Sequence, residues 1–252
     1  MRNGIFPIFT KGRVLKKESV EYLRDFPEDL ASLAYEQYSD GVLFGFAISS
    51  ENGYTQITRG AIKYQGEIMI IPGDTVKITD FGEFLYTKLV IGNYQETEDF
   101  RSCLIEIKVD RSQVKAENEK ELGRFCLNSG ATLRCKYDSF SDLRTVENTL
   151  DLTRVAYAGL EAPTLHPRVM KEYARALLAA SSDPADVAFS LMCLNSGVVH
   201  KRSIEWHVAK KINREYEEYT LPLLYEKLLE LLPQSGLIGK RERPRGRGPT
   251  IV

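Results

Sequence analysis

Residues 41–78 read GVLFGFAISSENGYTQITRGAIKYQGEIMIIPGDTVKI. Short apolar runs are cut by turn signals along its whole length. Residues 41–49 carry Val42, Leu43, Phe44, Phe46 and Ile48, and read as one strand. Glu51-Asn52-Gly53 turns the chain, and strands over 54–58 and 61–64 follow on either side of Gly60. Gln65-Gly66 turns into 67–71, and Pro72-Gly73-Asp74 into 75–78, where Val76 and Ile78 alternate with Thr75 and Lys77. Turns this dense leave no room for the helical crossovers of a parallel sheet, so the pattern predicts antiparallel β structure. Gly41, Gly45, Gly60 and Gly66 are the expected turn positions, because glycine takes up conformations that other residues resist.

The β pattern extends downstream. Residues 84–91 and 102–109 read as two more strands, the second dominated by Leu104, Ile105, Ile107 and Val109. The charged stretch 111–122 reads as a loop or short helix, and 123–127, 132–137 and 148–156 return to the sheet. The β-rich domain is thus expected over 41–157.

Upstream, residues 1–40 form a docking arm and helices. Ile5, Phe6, Ile8 and Phe9 surround Pro7, which suits an extended apolar arm. Val20 and Leu23, then Leu30, Leu33 and Ala34, give helical stripes between 18 and 39. Pro27, with Asp25 before it and Glu28 and Asp29 after it, predicts two short helices broken near Phe26.

Residues 160–234 change to a helical period, and four short amphipathic helices predict a small bundle. The first opens at Pro167, with His166 in the capping position, and carries Val169, Met170, Tyr173, Leu177 and Leu178 on one face. The second opens at Asp183-Pro184, with Val187, Leu191 and Leu194 as its stripe, and closes at Asn195-Ser196-Gly197. The third spans 203–213 with Ile204, Val208 and Ile212; the fourth opens at Thr220-Leu221-Pro222 and ends at Pro233. The fold class expected is α+β: short N-terminal helices, an antiparallel β-rich domain, a C-terminal helical bundle, and a flexible basic tail over 235–252.

Composition sets the outer bounds. With 252 residues, 43% hydrophobic and 27% charged, the chain can bury a core without staples, which excludes a disordered chain or a coiled-coil rod. Net charge is −1, so no global field attracts nucleic acid or an anionic membrane. The tail departs from that balance: Lys240, Arg241, Arg243, Arg245 and Arg247 stand against Glu242 alone. Residues 1–12 lack the apolar run of a secretory signal, and no window approaches a membrane span. Cys103, Cys126, Cys135 and Cys193 form no C-x-x-C pair and read as reduced thiols of a chain made in a cytoplasm.

No catalytic constellation is visible. His200 and His207, seven apart, could share a helical face, but two imidazoles without a third ligand do not make a zinc site, so neither metal nor cofactor is expected. There is no G-x-S-x-G elbow, and carboxylate pairs such as Asp138 and Asp142, or Asp183 and Asp186, read as solvated loops or helix caps. Gly236 to Lys240 lacks the spacing of a phosphate-binding loop. The run from Arg243 to Pro249 resembles an AT-hook, whose Arg-Gly-Arg unit enters the minor groove of A·T-rich DNA, but Gly248 intervenes before Pro249 and there is one copy.

The run Asp40-Gly41-Val42-Leu43-Phe44-Gly45-Phe46-Ala47-Ile48-Ser49, followed by Ile57-Thr58-Arg59-Gly60 through Gly66-Glu67-Ile68, resembles the strand and strand-turn-strand of peripheral baseplate and tail-fibre-attachment proteins of bacteriophages. Versions from prophages and phage-tail-like bacteriocins of Gram-positive bacteria are the most similar. The stretch from Phe9 to Glu18 resembles the arm of the same family, and the likeness covers about 5–72. Arg59-Gly60 stands where many relatives carry Pro-Gly.

The resemblance implies a structural protein, not an enzyme, at the distal end of a tail or tail-like particle. It would join baseplate to receptor-binding or fibre proteins, or be the peripheral receptor-facing subunit itself, present in several copies and possibly homo-oligomeric. The implied assembly residues are Ile5, Phe6, Ile8 and Phe9 in the arm, and Lys240, Arg241, Arg243, Arg245 and Arg247 in the tail. Membrane insertion and nucleic acid are not expected. Two other classes compete: a DNA-binding protein using the Arg-rich tail, and a hydrolase of a cell-surface polymer.

Overall fold

The stretch 41–49 is not one strand. In the computed structural model, which describes residues 6–51 and 53–232, it breaks into β1 (Gly41–Gly45) and β2 (Ile48–Glu51). The break lies at Gly45, with φ +83°, and Phe46, with φ +51°. Phe46 turns inward, nearly fully buried, over Gly60, where a Cβ would sit 2.5 Å from its ring. The returning strands β3 (Tyr54–Ile57) and β4 (Gly60–Tyr64) bend at the same level, and the corner is tied by the Ala47 amide donating to Thr58 Oγ1 at 2.9 Å. The two halves of this bent hairpin therefore enter different sheets.

Adding β5 (Glu67–Ile71) and β6 (Asp74–Lys77) gives two antiparallel three-stranded sheets, ordered β1-β4-β5 and β2-β3-β6. A third antiparallel sheet, ordered β8-β7-β9, is made by β7 (Phe84–Glu96), β8 (Arg101–Asp110) and β9 (Glu119–Cys126). The charged stretch after β8 is a loop only to residue 118, and β9 begins at Glu119.

The strands expected over 132–137 and 148–156 are absent as ladders. Only isolated bridges form there, such as Arg134 with Thr149 and Arg124 with Asp151. Side chains take the place of the backbone ladder. Asp142 accepts from both the Arg134 guanidinium (Nη2, 2.6 Å) and the Asp138 amide (3.0 Å), curling the chain into a 3-10 turn over Phe140–Arg144. Asn148, at φ +54°, interrupts the second run.

The N-terminal helix is also a correction. Instead of two helices broken near Phe26, one helix, α1 (Lys17–Ala34), runs through Pro27. The fixed φ of proline suits a helix, and the cost is the hydrogen bond that the Leu23 carbonyl would have received.

The C-terminal part holds α2 (Pro167–Ala180), α3 (Pro184–Asn195), α4 (Lys201–Lys211) and α5 (Leu221–Leu231). His166 caps α2 through Nδ1, which accepts from the Arg168 amide at 3.1 Å; His200 caps α4 on Arg202 in the same way, so α4 starts two residues earlier than its apolar spacing suggested. On α3 the buried face is Asp186, Ser190 and Cys193, not Val187, Leu191 and Leu194. Asp186 faces inward because Lys211 reaches it from α4 at 2.7 Å and the Ser181 hydroxyl donates to it, while Leu191 remains exposed.

One continuous apolar core runs from Ile48 and Ile57 through Leu89 and Phe125 to Tyr173 and Leu228. Phe140, in the irregular segment after β9, packs on the helices: its ring lies 5.3 Å from that of Tyr173 and 4.9 Å from that of Tyr225, whose hydroxyl donates to the Phe140 carbonyl at 2.9 Å.

Candidate assembly surface

The apolar arm does not fold back onto the β sheets. Phe6 and Ile8 are 77% and 78% exposed, Phe9 is half exposed, and the exposure continues through Val14 and Leu15 into α1. Ile5 and the tail residues Lys240, Arg241, Arg243, Arg245 and Arg247 lie outside the described residues.

Helix α1 is amphipathic, and among the described residues its apolar side is left exposed. At 100° per residue, Val20, Leu23, Phe26, Leu30 and Leu33 fall on one half of the helix, and Lys17, Glu21, Arg24 and Glu28 on the other. All five apolar residues are exposed, and no residue of the helix is buried. Helices in folded proteins owe most of their stability to packing of an amphipathic face. Here that face points to solvent, on a helix that also contains a proline.

The helix is held at one end. The Lys63 ammonium, on β4, donates to the carbonyls of Tyr35 (2.8 Å), Glu36 (2.9 Å) and Tyr38 (2.8 Å). These carbonyls at and beyond the helix terminus lack intrahelical donors, and a cation there also answers the negative end of the helix dipole. Lys63 is nearly buried between Ile62 and Tyr64, so its charge is spent on this capping. Sequence reasoning passed over it; the signal was a lone lysine inside the apolar run 61–64.

Of the expected turn glycines, Gly41, Gly45 and Gly66 have positive φ. Gly45 is doubly constrained, because a Cβ there would lie 2.3 Å from the Arg59 carbonyl oxygen. Gly60 has ordinary φ but sits under the Phe46 ring.

Charged side chains in the body serve its packing. Lys88, almost fully buried, lies 3.2 Å from both Asp110 and Glu119 and donates to the Ser112 carbonyl at 3.0 Å. A cleft between the β7–β9 edge and α5 is lined by Tyr86, Arg124, Asp151, Arg154, Tyr225 and Glu226, among others. Arg124 there is committed to Glu121 through two 2.7 Å bonds and lies over the Tyr86 ring. The histidines are set apart from each other: His200 caps α4, while His207 stacks on Phe189 with ring centroids 3.9 Å apart and bonds the Tyr173 hydroxyl at 2.9 Å. Burial pulls His207 down to about 4 and His166 to about 3. Among the described residues no group of three or more His, Cys, Asp or Glu is placed to hold a metal ion. All four cysteines are free thiols, and burial pushes Cys193 up to about 12. Among the described residues no helix is long and apolar enough to cross a membrane.

No protein-family model matches the chain, and no curated protein matches it. Among solved structures, the crystal structure of TssK aligns over 92% of this chain and 72% of its own, at 11% identity and a TM-score of 0.43. A chain in the TssK-TssF-TssG baseplate subcomplex of the type VI secretion system aligns over 89% of this chain and 98% of its own, at 10% identity and a TM-score of 0.37. A chain in the baseplate complex from the type VI secretion system gives 91% and 98%, at 10% identity and the same TM-score of 0.37.

Proposed function

We propose that this chain is a structural subunit of the baseplate of a phage tail or tail-like particle, linking it to receptor-binding or fibre proteins or facing the receptor itself. The observation that carries the reading is the apolar surface, exposed among the described residues, that runs from Phe6 through Leu33 on an otherwise well-packed protein. A monomer has no use for such a surface, and an assembly subunit does. The resemblance of residues 5–72 to baseplate and fibre-attachment proteins supplies the kind of assembly. In this reading the arm and α1 bury apolar surface against neighbours. The tail arginines 241, 243, 245 and 247, with Lys240, add charge pairing on an acidic neighbour. The test is immunogold labelling of a tagged chain in particles purified from producing cells. Label at the distal tail is the expected result; particles that lack the chain overturn the reading.

A further inference from the structure

The tail and the body of this chain carry opposite charge, and the charge of the body is unevenly spread. Residues 240–252 hold +4, which leaves −5 on residues 1–239. Helix α1 alone holds −3 of that, with Lys17 and Arg24 against Glu18, Glu21, Asp25, Glu28 and Asp29. The basic Lys11, Arg13 and Lys16 precede the helix. At 100° per residue, Glu18, Asp25 and Asp29 form one row along the edge of the exposed apolar face, next to Tyr22, Phe26 and Leu33. Asp25 is paired with Arg24 at 2.6 Å, whereas Glu18 and Asp29 are exposed and form no ion pair among the described residues. An apolar face bordered by carboxylates fits a partner that is cationic and apolar at once.

We infer that the α1 face is covered by residues 237–247 from the tail of a second copy of this chain. This rests on the reading of the arm and α1 as an assembly surface and names what covers it. Arg241, Arg243, Arg245 and Arg247 stand at every second position. Along an extended chain, which Pro244 favours at Arg243, they fall on one side about 7 Å apart and span about 20 Å. Lys240, Glu242 and Pro244 fall on the other side. The carboxylate row spans about 17 Å from Glu18 to Asp29, with Asp25 and Asp29 about 6 Å apart. The arginine stems then lie over Phe26 and Leu33 while the guanidinium forks reach the carboxylates. Leu237 and Ile238 add two apolar side chains ahead of the row. The tail leaves from α5, which packs on α4, whereas α1 lies against β5. The eight residues between Leu232 and Arg241 reach up to about 30 Å, enough to cross to a neighbouring molecule. A tail folded on its own α1 would hide the surface that assembly uses. With a second copy as donor the contact is head-to-tail, and closes into a ring or extends according to its rotation.

The test uses the purified full chain. Sedimentation velocity at tens of micromolar is expected to show association beyond the monomer at about 50 mM salt and its loss at about 500 mM. Arg241→Glu with Arg243→Glu and Arg245→Glu weakens it at least about tenfold, and so does Glu18→Lys with Asp29→Lys. Both α1 positions are exposed, so an unchanged circular dichroism spectrum and melting curve accompany the change. Mixing the two variants restores association, because each tail then finds an α1 of opposite charge on the other chain. A parent chain that stays monomeric at low salt, association that survives either reversal, or a mixture no more associated than its parts each overturns the pairing. A monomer whose α1 amides exchange faster once the tail is reversed also overturns it, and assigns the face to the chain's own tail. Variants that enter particles as well as the parent chain sink the pairing and leave the assembly reading standing. Restored association in the mixture of a chain absent from particles does the opposite.

Discussion

Lys63 Nζ lies 2.8 Å from the Tyr35 carbonyl oxygen, and with its bonds to Glu36 and Tyr38 it ties an otherwise solvent-facing helix to the β1-β4-β5 sheet. Lys63→Met keeps much of the stem and removes the charge. It should cost about 2 kcal/mol in urea unfolding, the range for hydrogen bonds to a charged group. Hydrogen exchange should accelerate over 17–38 and stay slow in β7.

The corner at Gly45 gives a sharper contrast. Gly45→Ala forces a Cβ against the Arg59 carbonyl oxygen in a backbone region already unfavourable to side chains, and should cost about 2–3 kcal/mol. Gly66 has the same φ of +83° but open space around it, so Gly66→Ala should cost only about 1 kcal/mol. Equal costs in denaturant titrations would mean that the close approach at the corner has been misread.

Much of this architecture was legible in the sequence, and the misses share a cause. The turn-punctuated strands and the four C-terminal helices were readable because local chemistry sets them: Gln65-Gly66, Asp183-Pro184 and the spacing of Ile204 and Val208. The failures arose where a distant side chain decides the outcome. The α3 face is turned by Lys211 from another helix, the 132–156 region by Arg134 and Asp142, and the α1 terminus by Lys63 from β4. The arm residues Phe6, Ile8 and Phe9 stood out as an apolar cluster, whereas α1 showed in the sequence only as helical stripes, because periodicity shows a face and not what covers it.

Stability should depend on pH through the buried histidines. Unfolded, a histidine takes up its proton near 6.5; folded, burial delays this to about 4 at His207 and about 3 at His166. Between those values the unfolded chain binds more protons, so stability falls as pH drops from about 6.5 towards 4. His207→Phe should flatten part of that fall in melting temperatures measured across the window, with His166 supplying the rest. An unaltered slope would place the cause elsewhere.

One apolar core runs through both the sheets and the helices, so the two should unfold together. Phe140→Ala should cost about 3–5 kcal/mol and still give one transition, with tryptophan fluorescence from Trp206 and far-ultraviolet dichroism coinciding. Two separated transitions in the parent chain would show instead that the β and helical parts are independent.

Deleting residues 240–252 should weaken assembly more at low salt than at high salt, because screening already removes much of a charged tail's contribution at high ionic strength. A loss independent of salt would mean that the tail contributes by something other than charge.

The central claim is that the arm and α1 are buried by a neighbour in the working assembly. Hydrogen exchange read by mass spectrometry over residues 6–34, compared between the dilute free chain and the chain in purified particles, tests it most directly. The account predicts rapid exchange in the dilute chain and protection of at least about a hundredfold over 17–34 in particles, the mark of helix hydrogen bonds held closed by packing. Equal, rapid exchange in both states would contradict it.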